Sequence, residues 1–219
     1  MNDGFTVLLD ARTLRGPKGG VTLLPTRALA DLVAEEWAGQ GATLELAAMH
    51  ATRLANTALE TIPDARDATA QQIADYAASD LLCYFAEGPA GLVERQHRLW
   101  GPILDRAEAE TSLRFERGEG IVHQPQPPET LARVKALALE SDDFGLTGLA
   151  FGTPLFGSAV LTLALQRGWL SGEQAFDLSR LDEAWQQEQW GVDEEAAERT
   201  GRLRGEAVML ERWFKGLAA

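Results

Sequence analysis

Acid–base catalysis needs two carboxyl groups held in different environments, and this chain carries carboxylates in excess. Asp182-Glu183 and Asp193-Glu194 are adjacent pairs that could supply an acid and a base if one member were buried. Neighbours on a helix point about 100° apart, so neither pair converges on one substrate atom. For nucleophilic catalysis the one thiol is Cys83, set in the apolar run SDLLCYFAE without an adjacent base. Such a setting suits a buried, inert sulfur rather than a reactive thiolate. His50, His97 and His123 stand apart, and no HExxH or CxxC spacing gathers metal ligands. GTPLFGS at 152–158 has the glycines of a phosphate loop but no Lys before its Ser, and no strand leads into it. The inventory therefore names no catalytic residue, no metal site and no cofactor.

Recognition chemistry is better represented. From Glu173 to Glu198 the chain holds nine acidic residues, one Arg and two Trp, a net charge of −8 against −13 for the whole chain. The spacing predicts a single helix leading into a turn. Leu178, Leu181 and Trp185 fall at i, i+3, i+7, one apolar stripe that can dock it. Glu183, Gln187 and Trp190 repeat the pattern on another face. A carboxylate, an amide and an indole in one row resemble a binding edge. The competing reading is a solvated acidic face with Trp190 turned into the core.

Bulk properties narrow the partners. A pI near 4.7 and the lack of a basic run argue against nucleic acid, since LARVKALA and RTGRLRGE are both diluted. The same charge disfavours anionic membranes and favours a partner with basic patches. One cysteine allows no intrachain disulfide, which fits a reducing compartment. The start, MNDGFTVLLDAR, has neither a secretory signal nor an Arg-rich transit pattern, so the chain is expected to work where it is made or to be already processed. Residues 144–166 carry no charge and approach membrane-spanning length, but several glycines, Pro154 and the Asp142-Asp143 flank predict two short buried helices broken near Pro154. No stable membrane insertion is expected. No sustained heptad seam argues for a coiled-coil dimer, and a monomer is expected.

The elements that must position these residues read as α+β. FTVLL (5–9) and VTLL (21–24) are β-prone, and the Gly-Pro and Gly-Gly pairs between them predict a hairpin with DARTLRGPKGG as its turn. Thr26 can cap a helix carrying Leu29, Val33 and Trp37 and ending near Gly39. A short strand at 43–46 could rejoin the hairpin, and two helices follow on either side of Pro63-Asp64. Leu92, Gln96, Leu99 and Ile103 mark a further helix, with Pro102 inside it. FERGEGIVHQPQPPE (115–129) is the strongest linker or loop signal, and everything beyond it is helical in pattern. The expected division is a β-containing unit over 1–85 and a mainly helical unit over 86–219.

Taken in order, LLDARTLRGPKG, LADLVAEEW, MHATRLANTAL, SDLLCYFAEGP, QHRLWGPIL and LSRLDEAWQQEQWGVD cover nearly the whole length. This ordered set resembles the assembly chaperones of the F-type ATP synthase catalytic head, specifically the family that binds the unassembled alpha subunit. The resemblance implies a non-enzymatic protein that keeps free alpha subunit soluble until it joins beta subunits, in the cytoplasm of a bacterium or the mitochondrial matrix of a eukaryote. It marks Trp37, Asp80, Cys83, Tyr84, Gln96, Trp100, Glu183, Gln187, Trp190, Gly191 and Asp193 as characteristic positions. Glu183, Gln187, Trp190 and Asp193 are the expected client-binding set. On apolar stripes, Trp37 and Trp100 read as core packing, Asp80 as a cap for the segment after it, and Tyr84 as a packed ring with a bonded hydroxyl. Phe85-Ala86 departs from the family pattern, where a basic residue precedes the alanine. Two rivals stay open: an enzyme working through distributed carboxylates, and a permanent structural subunit of a complex.

Overall fold

The structure, a computed structural model, describes residues 4–120, 122–191 and 194–219. Its β structure is slight. Leu8–Leu9 (β1) pairs antiparallel with Arg12–Thr13 (β2), Leu8 opposite Thr13 and Leu9 opposite Arg12. Asp10, at a φ of 54°, makes the turn between them tight. The segment read from sequence as one long turn thus contains a strand. Leu14 sits in the middle of a three-segment meander, its N–H donating to Val7 (2.9 Å) and its carbonyl accepting from Thr22 (3.0 Å). The two expected β segments still meet, because Phe5 and Leu24 exchange both backbone bonds at 2.8 and 2.7 Å. The tip at 16–20 rests on a helix end: the Lys18 backbone N–H donates to the Glu60 carboxylate (3.0 Å) and its Nζ to the Glu60 carbonyl (2.6 Å).

Thr26 caps the first helix, Arg27–Ala38 (α1), as expected, its Oγ1 accepting from the Leu29 N–H. The same hydroxyl donates to the Gly216 carbonyl near the far end of the chain (2.6 Å). The strand expected at 43–46 does not form. There Gln40 Oε1 accepts the Glu45 N–H (2.8 Å), and the chain passes into a 3-10 turn at Leu46–Ala48. Leu44 and Leu46 stay exposed, so no alternating face is buried to hold a strand. His50–Glu60 (α2) has no cap of its own; Glu36 of α1 supplies one, accepting from the N–H groups of Ala51 and Thr52 and from the Thr52 hydroxyl at 2.7–2.8 Å. Ile62–Ala77 (α3) follows with Pro63 in its first turn, where the missing N–H costs nothing.

Tyr84–Phe85 (β3) precedes the long helix Ala90–Thr111 (α4), and Gly118–Glu119 (β4) returns to pair with β3 in parallel. The segment expected as a linker is therefore strapped down. The buried Gln126 carboxamide reinforces this by bonding the Glu116 N–H and carbonyl, both at 2.9 Å. Pro128–Glu140 (α5) and Asp143–Phe156 (α6) pack on α3, so contacts and one hydrophobic core run across residue 85. The uncharged stretch forms α6 and Ala159–Gln166 (α7), the two buried helices expected. Their break lies at Gly157, whose φ of 63° ends α6, while Pro154 is accommodated inside α6. A Cβ on Gly148 would come within 2.6 Å of the Phe214 ring, so glycine there sets how closely Glu194–Leu217 (α10) approaches. Among the described residues no helix is long and apolar enough to cross a membrane. The chain is mostly helical, with four two-residue strands among the described residues.

Asp80 is the hinge pin of this packing. It has no exposure and accepts bonds from the Leu82 N–H (3.1 Å), the Ser158 hydroxyl (2.7 Å) and the Val160 N–H (3.1 Å). One carboxylate thus caps both the 3-10 turn at Leu81–Cys83 and the start of α7. Burial raises its pKa from 3.8 to about 6, against the lowering effect of those bonds. A folded-state value above the unfolded one means that this group favours folding most at low pH. That stability is lost as pH rises from the ordinary 3.8 to the raised value. We expect urea-denaturation free energies of the wild type to fall by about 3 kcal/mol relative to Asp80→Asn over that window. The difference should then stay constant at higher pH; parallel profiles throughout would refute the assignment.

Candidate functional site

The acidic segment is two helices rather than one. Gly172–Ser179 (α8) opens on a capping box between Ser171 and Gln174, and the chain kinks at Arg180 before Leu181–Trp190 (α9). There the Arg180 backbone leaves helical geometry (φ −117°, ψ 20°), its N–H shared between the Phe176 and Asp177 carbonyls at 3.1 and 3.2 Å, while the Ser179 hydroxyl also donates to the Phe176 carbonyl at 2.7 Å. Leu181 is buried, and Leu178 and Trp185 pack against the core, so the apolar stripe docks the segment as expected.

Its seat is α4. Gly91 lets the Trp185 ring lie against the α4 backbone, since a Cβ there would come 2.7 Å from the indole. One turn on, Arg95 grips Glu188 with two bonds (2.7 and 2.8 Å) and covers the Trp185 ring at 4.8 Å. These bonds hold the Glu188 carboxyl below its ordinary pKa. Gln96 is fully buried: its Oε1 accepts the Ala86 N–H and its Nε2 donates to Asp182, both at 2.7 Å. Burial raises the Asp182 pKa, the Gln96 bond opposes the rise, and neighbouring Glu183 adds to it. Trp100, also fully buried, donates from Nε1 to the Leu178 carbonyl (3.0 Å). Three successive turns of α4 therefore hold α8 and α9 through their side chains and backbone.

The outward face of α9 is the candidate site. Glu183 is exposed and pairs with Arg180 at 3.0 Å; Gln187 is half-buried; Trp190 is 79% exposed. The indole is therefore not turned into the core. Glu183 and Gln187 line an open groove of about 620 Å³ between α8–α9 and the first turns of α10, and Trp190 extends their row by helical spacing. Ala184 and Leu203 give the groove apolar wall above the fully buried Phe176, and Arg180, Arg199, Arg202 and Arg204 give it positive charge. Asp193 lies outside the described residues. Gly191 closes α9 with a φ of 88°, a conformation that favours glycine.

The other motif residues serve the scaffold. Cys83 is buried, and desolvation together with Asp80 raises its thiol pKa, the opposite of an activated nucleophile. Tyr84 is half-buried with its hydroxyl 3.0 Å from His123 Nδ1. Trp37 packs on the core beside the meander, its buried Nε1 without a protein partner among the described residues. Phe85, the departure from the family pattern, is buried, stacked on His97 at 4.4 Å and edge-on to Trp100 at 5.9 Å. Among the described residues no group of three metal-ligating side chains comes together. Sequence reasoning missed the arginine lining, although Arg199 and Arg202 stand at i, i+3 in RTGRLRGE directly after the acidic run.

What the fold defines is a mostly helical protein in which α8 and α9 are docked on α4 and the outer face of α9 is left exposed. Comparison gives the family. The profile of the ATP12 chaperone proteins matches residues 1–108. Over 97% of its length the chain superposes on Atp12 from Paracoccus denitrificans, covering 91% of that chain with a TM-score of 0.89 and 39% identity. The Atu1473 protein of Agrobacterium tumefaciens gives a TM-score of 0.90 at 39% identity, over 98% of this chain and 80% of that one. Mitochondrial protein atp12 of Schizosaccharomyces pombe is 22% identical over 209 residues, 90% of this chain and 72% of its own. The chain belongs to the ATP12 chaperone family.

Replacing Gln96 by Leu tests how the face is held. The change strands the Ala86 N–H and the Asp182 carboxylate without their buried partner. We expect a loss of about 2–4 kcal/mol in global stability and faster hydrogen exchange across α9 than across α6. Equal exchange in the two helices would show that Gln96 does not position the face.

Proposed function

We propose that this protein is an assembly chaperone that binds unassembled ATP synthase alpha subunit and keeps it from aggregating until it joins beta subunits. Family membership supports the chaperone role. The observation that carries the client reading is the outward row of α9, in which Glu183, Gln187 and an exposed Trp190 stand on a helix whose inner side is fixed to α4.

An orphan subunit exposes apolar and charged surface meant for its neighbours, and such surface drives aggregation. Trp supplies a large, stiff contact area, and carboxylates around it meet the client's Arg or Lys. Asp193, just beyond Gly191, completes the proposed set. Binding of this kind is reversible by competition, so beta subunit arriving at the same client surface releases the chaperone. The role needs neither catalysis nor a cofactor, and it places the protein in the bacterial cytoplasm or, in a eukaryote, the mitochondrial matrix.

Glu183 is the residue to reverse. It is exposed and tied only to Arg180, so Glu183→Lys leaves the core untouched. We expect Glu183→Lys to reduce co-purification of alpha subunit about tenfold while the helical circular-dichroism spectrum stays the same. Full retention of alpha subunit by the variant would remove Glu183 from the client surface.

A further inference from the structure

The rim of α9 is acidic, but among the described residues the groove below it is richer in arginine. Of the eleven described residues that line it, four are arginines and two are carboxylates, Asp177 and Glu183. Such a local positive excess stands out on a chain of net charge −13. Arg180 and Arg204 are each tied to one of those carboxylates, at 3.0 and 2.6 Å, and both guanidinium groups lie near the Phe176 ring, at 5.8 and 4.9 Å. Arg202 is exposed and has no carboxylate within ion-pairing distance among the described residues. A planar guanidinium presents paired donors that match a carboxylate, and Arg202 has no ion pair among the described residues to give up in binding one.

We propose that this groove receives an acidic segment of the client, with an Asp or Glu carboxylate bound at Arg202 and apolar neighbours laid against Ala184 and Leu203. The proposal rests on the client reading above and extends it: the rim meets basic groups, while the floor meets acidic ones. A client surface that satisfies both carries charges of both signs side by side, which a uniformly basic protein lacks. That gives the chaperone a means of discrimination beyond its overall negative potential. A small free oxyanion matches the groove less well, because it leaves the apolar wall uncovered and gains little in so open a site.

The test uses the full chain and purified alpha subunit, with affinity measured at low salt. Arg202→Glu is expected to weaken binding about tenfold or more. Arg27→Glu, the same charge change on an exposed pair of α1, is expected to alter it less than about twofold. Arg202→Lys keeps the charge and adds an amine that zero-length carbodiimide coupling can join to a touching carboxylate. Peptide mapping of that variant is expected to find the new lysine coupled to an Asp or Glu of alpha subunit. Unchanged affinity in Arg202→Glu, or no such coupling in a bound Arg202→Lys complex, overturns the proposal while leaving the client reading standing. Saturable displacement of alpha subunit by inorganic phosphate also overturns it, since the groove would then be an oxyanion site. Failure of the wild type to bind alpha subunit removes both readings at once.

Discussion

A side-chain amide without access to water has to find protein partners at both ends, and Gln96 finds them on two different elements. Its carbonyl oxygen takes the N–H that follows β3, and its amino group reaches the first turn of α9. The helix bearing the exposed row is thereby fixed to the part of the chain that also carries Asp80 and Cys83. The fork of Arg95 beside Gln96 and the indole N–H of Trp100 one turn on extend the same attachment along α4. Hydrophobic contact alone would tolerate sliding and rotation of α9; bonds of fixed direction do not. The orientation of Glu183, Gln187 and Trp190 follows from this inner seam.

The carboxylates of the region are already engaged within the fold: Asp182 by Gln96, Glu188 by Arg95, Asp177 by Arg204 and Glu183 by Arg180. Exposed ion pairs such as Arg180–Glu183 contribute little to stability, generally below about 1 kcal/mol, so exchanging one for an intermolecular pair costs the fold almost nothing.

Much of this was legible in the sequence, and the reasons are local. Thr26 before an apolar repeat announces a capped helix, and Leu178, Leu181 and Trp185 announce the docked stripe, because both signals depend only on helical spacing. The uncharged stretch at 144–166 was readable as buried helices from its glycines. What failed depended on contacts that spacing does not encode. The two expected β segments of the N-terminal hairpin do meet, but the strand between them went unread because β2 hides among turn residues and its partner is chosen by register, not composition. The strand expected at 43–46 lost its backbone to a side chain five residues earlier. The break at Arg180 came without Gly or Pro, the usual signals, and shows only in that residue's non-helical backbone. The buried bonds of Gln96 and the arginine groove are tertiary juxtapositions, and Arg199, Arg202 and Arg204 gain meaning only when α10 folds beside α8.

Trp190 leaves the protein in an unusual colloidal position. A naked indole ring is the sort of feature through which identical molecules stick together, yet this one is mounted on a helix bearing Asp182, Glu183 and Glu188. Two copies meeting ring to ring would press those like-charged helices against each other, and each brings thirteen net negative charges to the encounter. Repulsion thus guards the ring against its own kind, and only in dilute salt at full strength, since mobile ions shorten its reach. A surface of mixed or opposite sign feels no such barrier, so the stickiness is reserved for strangers.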